Sequence, residues 1–281
     1  MAVEYNNDTM LAHQRAELGR ATWWHAGTIV SQALIALLAA ISVFYNDGRT
    51  LLLIAGLIVV AVVAWVFAGI RYRTHRGLGD QARRIVLIGS GLGHSFAPSH
   101  LRDVTSDFGV PLAGRSATTV AEYFATTVAP GPRRLAEMIE ESAYWTGDLQ
   151  RWSFAAMRVS LIIIVITPLI AWASLFSGAE DEAQISIARV VLALFVFVLS
   201  SDLVGAMYGH KDAGKVMALM LRRLETTKAS DYPACEVLLL MSDYNAAVEA
   251  APMPLPGSYK MRSPDLRNRW RAYFAAMTSE G

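Results

Sequence analysis

The sequence predicts an all-α integral membrane protein, with four transmembrane helices in two hairpins and a helical cytosolic domain. The first observation is composition: of 281 residues, 54% are hydrophobic and only 17% charged, too apolar for an ordinary soluble chain of this length. The second is a set of runs almost free of charge, at 26–46, 50–70, 159–179 and 185–207. Each is near the roughly 20 residues that a helix needs to cross about 30 Å of hydrocarbon. The third is the basic border of the second run, where Ile70 is followed by Arg71, Arg73, Arg76, Arg83 and Arg84. Such a cluster holds its end of the helix on the cytoplasmic side.

Taken in order, residues 1–25 read as a cytosolic helix opened by Asp8 as N-cap, with Trp23 and Trp24 at the membrane interface. The charges at Glu4, Asp8, Arg15, Glu17 and Arg20 and the length of the next apolar run predict an uncleaved first span. Residues 26–70 form the first hairpin, turned at Asn46-Asp47-Gly48-Arg49. Residues 71–158 hold eleven Arg, no Lys and eight acidic residues, too much charge for another span. Within them, a helix is expected over 76–87, a helix start at Ser95-Phe-Ala-Pro98 and a break at Gly109-Val-Pro111. From Pro132 the helical spacing of Leu135, Met138, Ile139, Trp145, Leu149 and Trp152 predicts one long helix entering the third span.

Residues 159–207 form the second hairpin, with Pro168 as a hinge in the third span and Glu180-Asp-Glu182 in the outer turn. In the fourth span, Arg189 and Asp202 are thirteen residues apart, about 140° around a straight helix, so they do not line one pore together. Arg189, Ala193, Val196 and Ser200 share one small and polar face suited to a helix contact or pore lining. Residues 208–281 read as a cytosolic C-terminal region with helices over 211–228, 233–250 and from Ser263-Pro264 onward. Alternating prolines in Ala251-Pro-Met-Pro-Leu-Pro-Gly257 predict an extended segment between the last two. Outside the outer loops, which hold Arg49 and Arg189, all other Lys and Arg fall on inner segments, so both termini are expected in the cytoplasm.

Charge and motifs exclude several classes. The 25 basic and 24 acidic residues nearly cancel, which predicts no nucleic-acid partner. Cys235 is the single cysteine, so neither an intrachain disulfide nor a multi-cysteine metal site is possible. Gly89-Ser-Gly-Leu-Gly93 lacks the GxGxxG register of a dinucleotide loop and reads as a helix end followed by a turn. Glu137, Glu140 and Glu141 have the spacing of paired acids or metal ligands, but no histidine is nearby and a solvated face is the simpler reading. No catalytic constellation is expected, no metal and no cofactor. Arg133 and Arg134, behind Gly131-Pro132 at a helix start, suit a phosphate, and equally a lipid headgroup or Glu137. Tyr259, Lys260 and Arg262, near Arg267, Arg269 and Trp270, suit a nucleotide or an interdomain contact.

Several motifs carry a family resemblance. They are Ala121-Glu-Tyr-Phe-Ala125, the stretch Gly131 to Thr146 with Glu141, Ser142, Trp145 and Thr146, Asp243-Tyr244-Asn245, Pro254-Leu-Pro-Gly-Ser-Tyr259 and Arg267-Asn-Arg-Trp270. Together with span order and loop lengths, they resemble the SMODS-associated four-transmembrane effectors, pore-forming proteins of bacterial antiphage systems. The resemblance implies an inner-membrane homo-oligomer that acts in abortive infection under a cyclic nucleotide signal. It transfers no ligand contacts, so Arg133, Arg134, Tyr259, Lys260 and Arg262 rest on the physical reading alone. A small-molecule transporter or a non-catalytic membrane scaffold are the other readings; the absence of polar midplane residues weighs against transport.

Overall fold

The computed structural model describes residues 6–112, 118–176, 188–191 and 203–279, and regular structure among them is entirely helical. α1 spans Asn7–Ser42 and α2 spans Gly48–Val86, closed by one π-helical turn at Leu87–Gly91. α3 is Pro98–Ser106, α4 is the single turn Val120–Tyr123, and α5 is the 45-residue helix Pro132–Phe176. α6 (Leu203–Ala229), α7 (Ala234–Ala250) and α8 (Ser258–Ser279) complete the order.

Among the described residues, α1, α2 and α5 are long and apolar enough to cross a membrane. Their apolar stretches are left bare by the fold, with Leu52 75% and Leu53 71% exposed, and Val60, Val63, Ile162 and Ile163 likewise open. Water does not tolerate so continuous an apolar surface on a monomer, and hydrocarbon does. This is a membrane protein. Aromatic and cationic side chains pair where these stretches end. Trp24 packs edge-on against Phe67 at 5.5 Å, Arg71 lies over Phe67, and Lys211 of α6 lies over Phe154 of α5. Rings and cations of this kind suit the headgroup layer.

Of the fourth expected span, residues 185–187 and 192–202 lie outside the described residues, and Ala193, Val196 and Ser200 with them. Arg189 is exposed in the short helical stretch 188–191. Pro168 sits inside α5, which is helical on both sides of it.

Beyond the apolar stretches, the same helices run on into a compact helical body. The expected separate elements 8–25 and 76–87 are continuous with α1 and α2, because nothing in either chain segment interrupts the backbone ladder. One core joins Met10 and Leu11 of α1, Val86 of α2, Leu135, Met138 and Ile139 of α5, and Met217 and Leu240 of α6 and α7. Glu17, fully buried on α1, accepts hydrogen bonds from His75 Nδ1 of α2 at 2.6 Å and from the Val110 N–H at 2.9 Å. A buried carboxylate held this way fixes α1, α2 and the following loop in one register.

Caps explain the element ends. Asn6, not Asp8, caps α1 by accepting from the Thr9 N–H at 2.8 Å; Asp8 instead accepts from the Val120 N–H at the start of α4. Asp47 caps α2 through the Thr50 N–H. α8 begins at Ser258, ahead of the expected Ser263, and takes Pro264 inside it. Tertiary contacts override the proline there: Arg262 holds Asp148 of α5 through two hydrogen bonds of 3.0 and 3.1 Å, and Leu266 is fully buried. The glycine stretch is neither a nucleotide loop nor a free turn. The Gly91 carbonyl accepts from the Gly131 N–H at 2.8 Å, and a Cβ on Gly91 would meet the Leu135 backbone at 3.1 Å.

Close backbone approach at that point makes a side chain costly. Gly91→Val is expected to destabilise the detergent-solubilised protein by about 1–3 kcal/mol, read as a lower thermal midpoint. Gly131→Ala, where a Cβ meets nothing within 4 Å, is expected to change it little.

Candidate functional site

A cavity of about 820 Å³ lies among the non-spanning parts of α1, α2, α4, α5, α7 and α8. Its size is in the range of about 300–1,000 Å³ typical of small-molecule sites. α5 supplies one continuous wall through Glu141, Ser142, Trp145, Thr146, Leu149 and Gln150. Their spacing of one, three and four residues places them on one helix face. Opposite, the segment Ala121–Ala125 lines the cavity along its whole length, and Tyr244 of α7 closes the interior. Tyr259, Arg267, Trp270 and Arg271 of α8 and Arg15 of α1 complete it.

The aromatic groups of the lining pack against one another and against a neighbour. Trp145 and Tyr259 stack with ring centroids 5.8 Å apart, and Trp270 packs against Tyr144 at 5.2 Å. Burial pushes the Tyr123 phenol well above its usual range, with Tyr259, Tyr244 and Glu141 adding to the effect and Arg15 opposing it. Tyr123 therefore stays neutral and can donate a hydrogen bond. The Trp145 indole N–H is buried without a hydrogen-bond partner among the described residues.

Charge is divided within the cavity. Arg76 and Arg83 are engaged: Arg83 pairs with Asp80 at 2.7 Å, and Arg76 donates to the Val248, Glu249 and Ala251 carbonyls, capping α7. Arg15, Arg267 and Arg271 are exposed on the cavity rim and form no ion pair among the described residues. Arg15 donates to Thr118 Oγ1 at 2.5 Å and lies 6.0 Å from the Tyr123 ring centroid. Three guanidinium groups without a carboxylate partner, beside aromatic rings, can take phosphate oxygens.

Asp80, Glu122 and Glu141 are the acids that line the cavity, and among the described residues Glu141 forms no ion pair. It is 9% exposed and accepts the Ala125 N–H at 2.8 Å. Burial pushes its carboxyl up to about 7, and the Ala125 N–H and nearby Trp270 indole oppose that only in part. The indole N–H itself falls outside hydrogen-bond geometry.

The three glutamates of the α5 motif separate into different jobs. Glu137 is buried and occupied, accepting from Thr126 Oγ1 at 2.5 Å and from Arg133 Nε at 3.0 Å. Glu140 accepts from Tyr273 Oη at 3.0 Å. The face is therefore packed, where a solvated one was expected. Among the described residues no three His, Cys, Asp or Glu side chains gather as a metal site.

Of the residues expected to bind a ligand, Tyr259 lines the cavity, and the others lie elsewhere. Arg133 pairs with Glu137, and Arg134 donates to the Val128 carbonyl at 2.7 Å. Arg262 is held by Asp148 behind the wall, and Lys260 is exposed without lining the cavity. Asn245, beside Tyr244, accepts from Arg83 Nε at 3.4 Å outside the cavity. Arg15 and Arg271 were not anticipated. Their sign in the sequence is slight: Arg15 belongs to no motif, and Arg271 follows Arg267 and Arg269 with nothing in the spacing to say which of the three faces a ligand. By contrast, Glu141, Ser142, Trp145, Thr146, Tyr244, Arg267 and Trp270, which carry the family resemblance, converge on this one cavity. No family model, no curated protein and no solved structure matches the chain.

The Glu141 shift has a consequence for stability. Its carboxyl is raised in the folded state, so between the ordinary glutamate range and about 7 the native protein binds a proton that the unfolded chain has lost. Stability therefore falls as pH rises through that window, by up to about 3 kcal/mol. Glu141→Gln keeps an acceptor for the Ala125 N–H and removes the charge. Its thermal midpoint is expected to exceed that of the wild type at pH 8 and to match it near pH 4.5.

Proposed function

We propose that this chain is a membrane effector of a bacterial antiphage system, forming or opening a pore in the inner membrane when a cyclic nucleotide occupies the cavity. The observation that carries this reading is the cavity's composition and its place: guanidinium groups without ion pairs and aromatic rings, between α8 and the ends of α1, α2 and α5, which continue into the apolar stretches. Phosphates suit Arg15, Arg267 and Arg271, and bases suit Trp145, Tyr259 and Trp270.

The route from cavity to membrane is short. α5 contributes Glu141 to Gln150 to the wall and then runs through Arg158 into its apolar half without a break. Gln150 also ties neighbouring parts together, accepting from His210 of α6 at 2.5 Å and donating to the Pro252 carbonyl at 2.9 Å. Burial holds His210 down to about 4, so it is a neutral donor at physiological pH. Ser153 Oγ accepts from the Leu255 N–H at 3.1 Å, so the proline segment is pinned along α5. A ligand that prefers one position of α5 would thus shift the membrane half with it. Four helices packed from one chain leave no aqueous lumen, so the pore is assigned to a homo-oligomer with its termini in the cytoplasm.

The test is release of a trapped dye from liposomes containing the purified protein, with and without cyclic di- and trinucleotides. Nucleotide-dependent release is expected, and Arg267→Ala with Arg271→Ala is expected to lower the response at least about tenfold in ligand concentration. Release that ignores every nucleotide, or a double variant with unchanged response, would count against this assignment. No release from inserted, folded protein would favour a scaffold.

A further inference from the structure

The cavity has two chemically different ends, and the difference concerns which base it takes. Its guanidinium groups without ion pairs are on the exposed rim, and its inner arginines, Arg76 and Arg83, are taken by Asp80 and by backbone carbonyls, whereas buried Glu141 forms no ion pair among the described residues. Glu141 Oε2 accepts the Ala125 N–H, while Oε1 accepts no hydrogen bond from the described residues. Trp145 offers an unpartnered indole N–H on the same wall, one turn along α5. A carboxyl this buried, with one oxygen unbonded and no ion pair among the described residues, is costly to ionise unless something supplies donors to it.

We infer that Glu141 is a specificity-determining residue that reads the Watson–Crick edge of a guanine, with the phosphates of the same ligand on Arg15, Arg267 and Arg271. This rests on the cavity being a nucleotide site. An ionised carboxylate only accepts, and guanine presents two adjacent donors, N1–H and the 2-amino group, matched to its two oxygens. Adenine presents one donor beside the N1 acceptor, whose lone pair faces the carboxylate unfavourably. Trp145 and Tyr259 provide the aromatic surface against which the base lies. Ala125 fixes the carboxyl by its N–H, so the acid is positioned before the ligand arrives.

The experiment is calorimetric titration of the full-length protein in detergent with cyclic di-GMP, cyclic di-AMP and cyclic di-IMP, the last lacking the 2-amino group. The wild type is expected to bind the guanine ligand about tenfold or more tightly than the adenine ligand, with the inosine ligand between them. Glu141→Gln is expected to lose most of that preference while keeping its affinity for cyclic di-AMP, a pattern that simple loss of structure would not produce. Equal binding of the three by the wild type, or a preference for adenine, would overturn the guanine assignment and leave the nucleotide site standing. Equal loss of all three ligands in folded Glu141→Gln would also overturn it, making Glu141 structural. Binding of none by the wild type would overturn the nucleotide reading itself, and this one with it. The wild-type ranking decides the matter even where the variant does not fold.

Discussion

A bilayer gives the backbone no hydrogen-bond partners, and that constraint shapes everything else in this molecule. Each crossing segment must satisfy its own amides, so it must be an uninterrupted helix. α1, α2 and α5 meet the requirement and do not stop at the membrane boundary; they continue as the framework of the helical body. Part of the cavity wall is therefore made by the ends of membrane helices, and α4, α7 and α8 complete it. No linker separates the two regions along α1, α2 and α5.

Polar groups buried at these helix ends do what apolar packing alone would not. Glu17 between His75 and Val110, Arg76 on the last carbonyls of α7, and Gln150 between His210 and Pro252 each join elements that are far apart in sequence. Every one of them is satisfied, which is the condition for a buried polar group to fix a geometry at acceptable cost. Glu141 departs from that pattern. Its raised carboxyl marks a place where the fold accepts instability, as binding sites commonly do.

Much of the architecture was legible in the sequence, for physical reasons. The first three charge-free runs read directly because hydrocarbon excludes charge, and α5 read as one helix because its apolar period continues from Leu135 into the third run. The start of α8 was not legible, since the Arg262 pair with Asp148 and the burial of Leu266 outweigh the local proline signal. The candidate site was half legible. Glu141, Trp145, Tyr244 and Trp270 stood out in motifs, but only tertiary packing brings them together. For Arg133 and Arg134 the sequence left a phosphate, a lipid headgroup and Glu137 open; Arg133 takes Glu137, and Arg134 takes the Val128 carbonyl, which the sequence did not point to. Spacing alone does not say which neighbour a guanidinium will choose.

The most direct test of the account is where a ligand sits. A photoreactive 8-azido cyclic dinucleotide, crosslinked to the full-length protein in membranes and mapped by mass spectrometry, should label peptides spanning 141–150 and 259–271. Label confined to peptides around Arg133 and Arg134, with none on the cavity walls, would contradict the site proposed here.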